Sequence, residues 1–144
     1  MSVPDDLRVW TGTPVVIDAS AGFKWFDTHE PSADVAADLL EEHSAGRVAL
    51  LAPEHFLLEV THVLGRRRVT DEVTRCVDTL MGFDVLIVPL ERDLLIESAT
   101  IAAQRGLPVY DAAYVALAEL VDAVLVTADR TQARAAKCAV RLLR

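Results

Sequence analysis

The 144-residue sequence lacks several features that mark common protein classes. It has two cysteines, Cys76 and Cys138, which is neither the density of a disulfide framework nor the short paired spacing of a zinc site. Glycine and proline number six each against 52% hydrophobic residues, so a disordered chain is disfavoured. The longest apolar run, Ala112 to Ala118, has seven residues. A membrane-spanning helix needs about 20, so we predict no such span.

Basic residues are also in the minority. Lys and Arg number 14 against 22 Asp and Glu, which gives a net charge of −8. This balance argues against nonspecific binding of polyanions by the whole surface, although a local basic patch can still bind nucleic acid. The first six residues are acidic where a secretory signal is basic and then apolar, so we expect a cytoplasmic protein. The length suits one domain that buries roughly 70% of its unfolded surface.

Hydrophobic periodicity predicts strands that alternate with helices. Short runs rich in Val, Ile and Leu predict buried strands at residues 15–17, 48–51, 85–88 and 124–126, with a fifth candidate at 139–143. Helical spacing appears at 19–26, 34–43, 54–66, 71–81, 92–104, 111–121 and 131–137. The alternation predicts a three-layer α/β/α sandwich with a central parallel sheet of four or five strands. We assign residues 14–144 to this domain and residues 1–13 to an N-terminal extension.

Four acidic residues fall where such a fold places ligands. Asp18 and Asp129 follow the first and fourth strands, and Asp111 opens a predicted helix that begins at the same edge of the sheet. Glu59 lies early in the helix after the second strand, at about 40° from the apolar stripe of that helix. We therefore expect the four carboxylates to converge at one edge.

Each acid also has a purely structural interpretation. An Asp that precedes a helix is a favoured N-cap, and a Glu beside an apolar stripe is usually a solvated boundary residue. Taken together, however, like charges at close range raise one another's pKa and destabilise the fold unless a cation neutralises them. Magnesium prefers oxygen ligands and keeps several waters, so four acids suffice for one or two ions.

The same residues lie in four sequence blocks that resemble a known family. The blocks are Val15-Val-Ile-Asp18-Ala-Ser20 followed by Lys24-Trp25-Phe26, Leu57-Leu-Glu59-Val60 with Val63-Leu64, Val109-Tyr-Asp111-Ala-Ala-Tyr114-Val-Ala-Leu-Ala118, and Val124-Leu-Val-Thr127-Ala-Asp129. In these blocks, and in their order, the chain resembles the PIN-domain nucleases and, within them, the VapC-like toxins of bacterial toxin–antitoxin pairs. The resemblance covers nearly all of the chain after Thr13.

The resemblance implies an Mg²⁺- or Mn²⁺-dependent endoribonuclease that leaves 3′-hydroxyl and 5′-phosphate ends. Asp18 and Asp111 would be the primary metal ligands, and Glu59 and Asp129 would complete the site directly or through water. Thr127 and Ser20 would support the acids by hydrogen bonds. The family also implies a homodimer and a small antitoxin that blocks the acidic groove. One departure is His62, which stands where the family commonly has Asn.

Candidate RNA contacts are basic residues near these blocks. They are Lys24, Arg66 in the Arg66–Arg68 run, Arg130, Arg134 and, beyond them, Lys137. The alternative is that these charges form a solvated face, because a basic helix end also favours its own dipole.

Other functions fit the sequence less well. It contains no G-x-S-x-G elbow, P-loop or G-x-G-x-x-G motif, which argues against an acyl hydrolase, an NTPase and a dinucleotide enzyme. A receiver-like aspartyl-phosphate protein needs a lysine at the end of a late strand, whereas Lys137 falls in a predicted helix. A PIN scaffold that binds RNA or a partner protein without cleavage stays open, although the presence of all four acids argues against it.

Overall fold

Five parallel strands form the centre of the structure, a computed structural model that describes residues 10–68 and 70–144. The strands are β1 (Thr13–Ile17), β2 (Val48–Pro53), β3 (Leu86–Val88), β4 (Val124–Thr127) and β5 (Val140–Leu142). Every pairing between neighbouring strands is parallel. The predicted parallel sheet is confirmed, with the larger of the two expected strand numbers.

The strand order places a natural ligand position between β1 and β4. The strand order in the sheet is β3-β2-β1-β4-β5. The chain adds β2 and β3 on one side of β1, and then adds β4 and β5 on the other side. Val15 pairs with Leu50 of β2 and with Val124 of β4. Ligands of open parallel sheets bind at the carboxyl ends of the strands where the direction of building reverses. Residues that follow β1 and β4 therefore face each other across this position.

Helices cover the sheet and complete the three layers. They are α1 (Ala19–Gly22), α2 (Ala33–Ser44), α3 (His55–Arg67), α4 (Thr70–Gly82), α5 (Arg92–Arg105), α6 (Val109–Leu120) and α7 (Arg130–Ala135), with a 3₁₀ helix over Phe23–Phe26. Helix α6 is the central one because residues 112–118 are all buried. It contacts β1, β2 and β4 as well as α5. Burial of each large apolar side chain contributes about 1.5–3 kcal/mol relative to exposure.

The structure corrects three details of the predicted helices. The predicted helix 19–26 is a single α-helical turn followed by a 3₁₀ turn. Helix α6 begins at Val109 instead of Asp111, because Pro108 occupies the N-cap position, where no backbone N–H is needed. Helix α7 ends at Ala135, so Lys137 lies between α7 and β5 and not inside a helix. The remaining bounds agree with the predicted ones to within two residues.

Close packing explains the tight turn after β1. A Cβ atom on Gly22 would lie 2.8 Å from the ring of Phe56, so only glycine allows α1 to approach α3 this closely. Trp25 packs edge-on against the rings of Phe56 and Phe83, and its Nε1 donates a hydrogen bond to the Ala36 carbonyl. The aromatic residues after α1 therefore belong to the core.

The described part of the N-terminal segment begins at Trp10. Strand β1 begins at Thr13, and Trp10 packs against the core. The predicted extension otherwise lies mostly outside the described residues, so its boundary at residue 13 stays a prediction. In residues 10–68 and 70–144, no helix combines the length and the hydropathy needed to cross a membrane.

Candidate active site

Asp18 follows β1 and is buried at the position where β1 meets β4. Its Oδ1 accepts hydrogen bonds from the backbone N–H of Ala21 at 3.0 Å and from Oγ of Ser20 at 2.7 Å. Oγ1 of Thr127, the last residue of β4, lies 2.9 Å from Asp18 Oδ2. The bond from Ala21 makes Asp18 the N-cap of α1, so the structural interpretation of this acid is correct as far as it goes.

The cap does not account for the electrostatics of Asp18. The side chain is 5% exposed, and burial raises its pKa from 3.8 to about 7. Hydrogen bonds from Ser20, Ala21 and Thr127 lower the pKa only in part, and the negative charge of Asp129 raises it further. Among the described residues, no lysine or arginine pairs with Asp18. The carboxylate is therefore buried without a positive charge beside it, which is costly for the ionised form.

Asp111 lies in the first turn of α6 and is also under electrostatic stress. Its pKa is raised first by burial and then by the charges of Asp129 and Glu59, while His55 acts in the opposite direction. Because Pro108 is the N-cap of α6, Asp111 does not cap this helix, and that interpretation of the residue is wrong. Its side chain contributes a negative charge near the helix N-terminus, where the dipole favours it.

Glu59 is held by two neighbours from different elements. The hydroxyl of Tyr114 on α6 donates a hydrogen bond to Glu59 Oε1 at 2.9 Å, and His55 Nε2 lies 3.2 Å from the same oxygen. His55 Nε2 also lies 2.8 Å from the Tyr110 carbonyl oxygen. Burial alone lowers the pKa of His55, but Glu59 and the Tyr110 carbonyl raise it above its ordinary value. The side chain of Glu59 is thus oriented toward α6 instead of being free in solvent.

Asp129 caps α7 and connects to Asp18 through Thr127. Its Oδ1 accepts hydrogen bonds from the backbone N–H groups of Thr131 at 2.8 Å and Gln132 at 3.3 Å. Its own backbone N–H donates to Thr127 Oγ1 at 2.9 Å. The structural interpretation of Asp129 as a helix cap is correct. Its charge still raises the pKa of both Asp18 and Asp111, so it acts on the same region.

The four acids share one edge of the sheet without forming a closed ligand cluster. Asp18, Asp111 and Asp129 interact electrostatically, and Glu59 acts on Asp111. Within residues 10–68 and 70–144, however, no three His, Cys, Asp or Glu side chains are arranged as ligands of one metal ion. The four acids therefore lie at the same edge of the sheet and affect one another electrostatically, as the sequence predicts. They are not arranged as the ligands of one metal ion.

A cleft of about 1190 Å³ opens at this edge. Glu59 and Asp111 line it, together with Ser20 and Ala128, which are close in sequence to Asp18 and Asp129. Its other lining residues are Ala19, Phe23, Lys24, Glu30, Leu58, Thr61, His62, Val63, Pro108 and Tyr110. This volume exceeds the 300–1,000 Å³ that is typical of small-molecule pockets. The cleft is therefore larger than a typical small-molecule pocket.

The candidate basic contacts differ in how free they are. Lys24 is buried, with its Nζ donating to the Pro31 carbonyl at 2.6 Å and lying 3.8 Å from Glu30 Oε2. Arg66, Arg130 and Arg134 are exposed. Of the five basic residues considered for RNA, Lys24 is therefore already engaged by the protein.

In the sequence analysis, no role in the site is assigned to three residues that contact its acids or their neighbours: His55, Tyr114 and Gln132. The spacing of His55 to Glu59 is that of neighbours on one helix face, and so is the spacing of Asp111 to Tyr114, which are signals that the sequence does contain. Gln132 is fully buried and contacts both Thr127 and the Asp111 carbonyl. The sequence carries no local signal for that contact.

A family model described as the PIN domain matches residues 15–137. The chain belongs to the PIN domain family. Among curated proteins, none matches this PIN domain significantly.

Solved structures similar to this PIN domain include PAE2754 from Pyrobaculum aerophilum, with 25% identity, a TM-score of 0.66 and 90% of each chain covered. Another is VapBC2 from Rickettsia felis bound to a promoter DNA fragment, with 12% identity, a TM-score of 0.70, and 90% and 98% of the two chains covered. A third is VapC20 from Mycobacterium tuberculosis, described as a toxin that cleaves the sarcin–ricin loop, with 14% identity, a TM-score of 0.67, and coverage of 84% and 94%.

The donor set of this PIN domain fits a hard divalent cation. The side chains at the edge offer carboxylate and hydroxyl oxygens, which Mg²⁺ and Mn²⁺ prefer over nitrogen or sulfur. Burial is the main cause of the raised pKa values of Asp18 and Asp111, and the negative charge of Asp129 raises both further. A cation that binds one or two carboxylates and keeps its waters is compatible with acids that share a field but do not meet as a cluster.

Proposed function

We propose that the chain is an Mg²⁺- or Mn²⁺-dependent endoribonuclease, the toxin of a toxin–antitoxin pair, which hydrolyses RNA phosphodiester bonds with an activated water. The observation that carries this proposal is the state of Asp18. It is buried at the β1–β4 position with a pKa raised to about 7, and Asp129 adds further negative charge. A fold tolerates such a group when a ligand supplies the missing positive charge.

In this proposal the four acids divide the work. Asp18 and Asp111 hold the cation, and Glu59 and Asp129 complete the site directly or through water. A bound Mg²⁺ or Mn²⁺ lowers the pKa of water and stabilises negative charge on the phosphoryl oxygens. Ser20 and Thr127 orient Asp18, and Tyr114 orients Glu59. No side chain has to act as a nucleophile.

The structurally similar proteins support the toxin assignment. VapC20 is described as a toxin that cleaves the sarcin–ricin loop, and VapBC2 is described as bound to a DNA fragment from its promoter. Because their identities to this chain are 14% and 12%, they establish the fold, and we extend their activity and partners to this chain as part of the proposal. The partners we propose are RNA, a small antitoxin that occupies the acidic cleft, and a second copy of this chain, all in the cytoplasm.

The cleft is suited to a negatively charged strand only if basic residues flank its acids. Arg130 follows Asp129 directly and is exposed, and Arg134 lies one turn further along α7. We propose that these two arginines contact the phosphates on the α7 side, and that Arg66 does so at the far end of α3. Lys24 lines the cleft, but its Nζ already donates to the Pro31 carbonyl and lies 3.8 Å from Glu30 Oε2. Arg130 and Arg134 are therefore the stronger candidates.

The second candidate function is a PIN scaffold that binds RNA or a partner protein without cutting. One observation favours it: in the part of the chain that the structure describes, no three potential ligands are arranged around one metal position. The two proposals differ in one property, which is metal-dependent hydrolysis.

Cleavage of pooled tRNA and rRNA by the purified chain tests the proposal. The reactions contain Mn²⁺, Mg²⁺ or EDTA, and they compare the wild type with Asp111→Asn. Asp78→Asn is a matched control, because Asp78 is an exposed aspartate of α4 outside the cleft. We expect discrete cuts that need the divalent ion, disappear in Asp111→Asn and persist in Asp78→Asn. Binding of RNA by a folded, Mn²⁺-bound wild type without any cut would favour the scaffold.

A further inference from the structure

Gln132 is a fully buried polar residue that the proposed mechanism leaves unused. It lies on α7 and has no exposed surface. Its Nε2 donates a hydrogen bond to the main-chain carbonyl oxygen of Asp111 at 2.9 Å, and its Oε1 lies 2.8 Å from Thr127 Oγ1. Its own backbone N–H donates to Asp129 Oδ1. One side chain and its amide thus touch three of the segments that carry the acidic edge.

The orientation of the Gln132 amide follows from its partners. A carbonyl oxygen can only accept a hydrogen bond, so the group that faces Asp111 has to be the NH₂. The amide oxygen therefore faces Thr127. Since this oxygen cannot donate, the hydroxyl of Thr127 is the donor of that bond.

The single hydroxyl hydrogen of Thr127 has two acceptors within reach, Gln132 Oε1 at 2.8 Å and Asp18 Oδ2 at 2.9 Å. Thr127 Oγ1 already accepts from the backbone N–H of Asp129 and lies 2.9 Å from Asp18 Oδ2. Gln132 and Asp18 therefore compete for one hydrogen, and the bond to Gln132 weakens the bond from Thr127 to Asp18. A carboxylate oxygen that receives a weaker hydrogen bond keeps more of its electron density for a cation.

We propose that Gln132 is a positioning residue that draws the Thr127 hydrogen away from Asp18 and fixes the main chain at Asp111, so that the acidic edge binds a divalent cation more tightly. This inference rests on the proposed function. Partners of this kind, one step removed from a metal ligand, typically change metal affinity by about 10- to 100-fold when they are removed.

The test is calorimetric titration of Mn²⁺ into the metal-free full chain. Gln132→Met keeps the length of the side chain and removes both hydrogen bonds of the side-chain amide. The matched control is Gln104→Met, which changes the other glutamine of the chain, an exposed residue of α5. We expect the dissociation constant to rise about tenfold in Gln132→Met and to stay within about twofold in Gln104→Met. Urea unfolding in EDTA establishes that each variant is folded.

The Thr127 background separates positioning from general packing. Thr127→Ser keeps the hydroxyl, and Thr127→Val removes it. We expect Gln132→Met to weaken Mn²⁺ binding in the Ser background as in the wild type, and to lose most of its effect in the Val background. An equal effect in both backgrounds would show that Gln132 does not act through the Thr127 hydroxyl and would overturn the inference. If Gln132→Met does not fold, Gln132→Asn replaces it, because its shorter amide cannot reach both partners.

The outcomes distinguish this inference from the proposed function. A wild type that cuts RNA, with unchanged Mn²⁺ affinity in Gln132→Met, overturns the role of Gln132 and leaves the nuclease standing. A wild type that binds Mn²⁺ and cuts no RNA, with affinity lost in Gln132→Met, overturns the nuclease and supports the positioning role. A folded wild type that binds no Mn²⁺ overturns both.

Discussion

Two carboxylates of this protein are largely removed from water, and the protein treats them in opposite ways. Glu119 on α6 receives two hydrogen bonds from the Arg105 guanidinium, at 2.6 and 2.9 Å, and a third from the backbone N–H of Lys137. Burial raises its pKa, but Arg105 and these bonds hold the pKa below the ordinary value. Asp18 receives only neutral donors, and its pKa is raised to about 7.

The difference teaches how a structural charge can be told from a functional one. In the Arg105–Glu119 pair, each charge is balanced by the opposite charge of its partner. Arg105 also donates a hydrogen bond to the Ala135 carbonyl, so its side chain connects α5, α6 and the end of α7. Asp18 lies in a field made more negative by Asp129. A buried carboxyl with a raised pKa and no cationic partner is typical of a functional site. The Arg105–Glu119 pair therefore stabilises the fold, whereas Asp18 marks the candidate site.

Removing the uncompensated charge should have the largest effect of all. We expect Asp18→Asn to reduce Mn²⁺-dependent RNA cleavage on the order of 100-fold or more, because the proposed ligand of the cation is lost. The metal-free variant should be more stable than the wild type at pH 8, since the buried charge of Asp18 is removed. Cleavage assays and urea unfolding in EDTA measure the two effects. Full cleavage by Asp18→Asn would remove Asp18 from the site.

Removing Arg105 from its pair with Glu119 should instead lower the stability of the fold and leave RNA cleavage unchanged. Arg105→Met leaves Glu119 partly buried without its cation. The side chains are 15% and 21% exposed, so we expect a loss of about 2 kcal/mol in unfolding free energy, below the 3–5 kcal/mol of a fully buried pair. Urea unfolding measures this loss. The specific cleavage rate of the folded variant should match the wild type, and a loss of rate at full folding would contradict the structural assignment.

The two carboxylates should also respond to pH with opposite signs. Because the folded-state pKa of Asp18 is raised from 3.8 to about 7, the folded state binds more protons in that range and the metal-free protein loses stability as pH rises. The raised pKa values of Asp111 and His55 act in the same direction. We expect a fall of about 2 kcal/mol between pH 5 and pH 8.

Urea unfolding in EDTA at three pH values measures this slope. Asp18→Asn should flatten it, and Mn²⁺ at pH 8 should restore stability to the wild type. Glu119, whose pKa is lowered, contributes stability that is lost only as pH falls into the acid range. A slope in metal-free protein that is the same with and without the Asp18 carboxyl would show that other groups cause it.

The smallest effect should come from a neutral donor at the site. Tyr114→Phe removes the hydroxyl that donates to Glu59. We expect a stability cost of about 1 kcal/mol and a cleavage rate lowered about fivefold, because Glu59 keeps its charge and its contact with His55. Tyr110→Phe controls for the stability effect, since the side chain of Tyr110 is mostly exposed. An equal loss of stability in both variants would rule out the Glu59 bond as the cause.

Much of the fold could be predicted because its signals are local. Buried parallel strands are apolar on both faces, so they appear as short continuous runs of Val, Ile and Leu, and the helices between them have a period of 3.6 residues. The details that failed depend on close contacts. The turn after β1 tightens because Gly22 packs on Phe56, and α6 starts early because Pro108 caps it.

The candidate site was predictable in place but not in detail. Asp18 and Asp129 could be located because strands of a parallel sheet end at one edge. The role of Lys24 could not be inferred, because its bond to the Pro31 carbonyl depends on how the loop before α2 folds back. The metal set and the RNA contacts stay predictions.

By itself, the sequence determined the alternation of strands and helices, the order of the acids along the chain and their common edge, since these follow from periodicity and from the rules of parallel sheets. Only the tertiary structure decided which neighbours each acid has. Tyr114 reaches Glu59 from 55 positions away, and Thr127 reaches Asp18 from 109. Such contacts arise when α6 and β4 pack against elements made much earlier in the chain. The packing of these elements determines how far each carboxylate is buried and whether a positively charged side chain lies beside it.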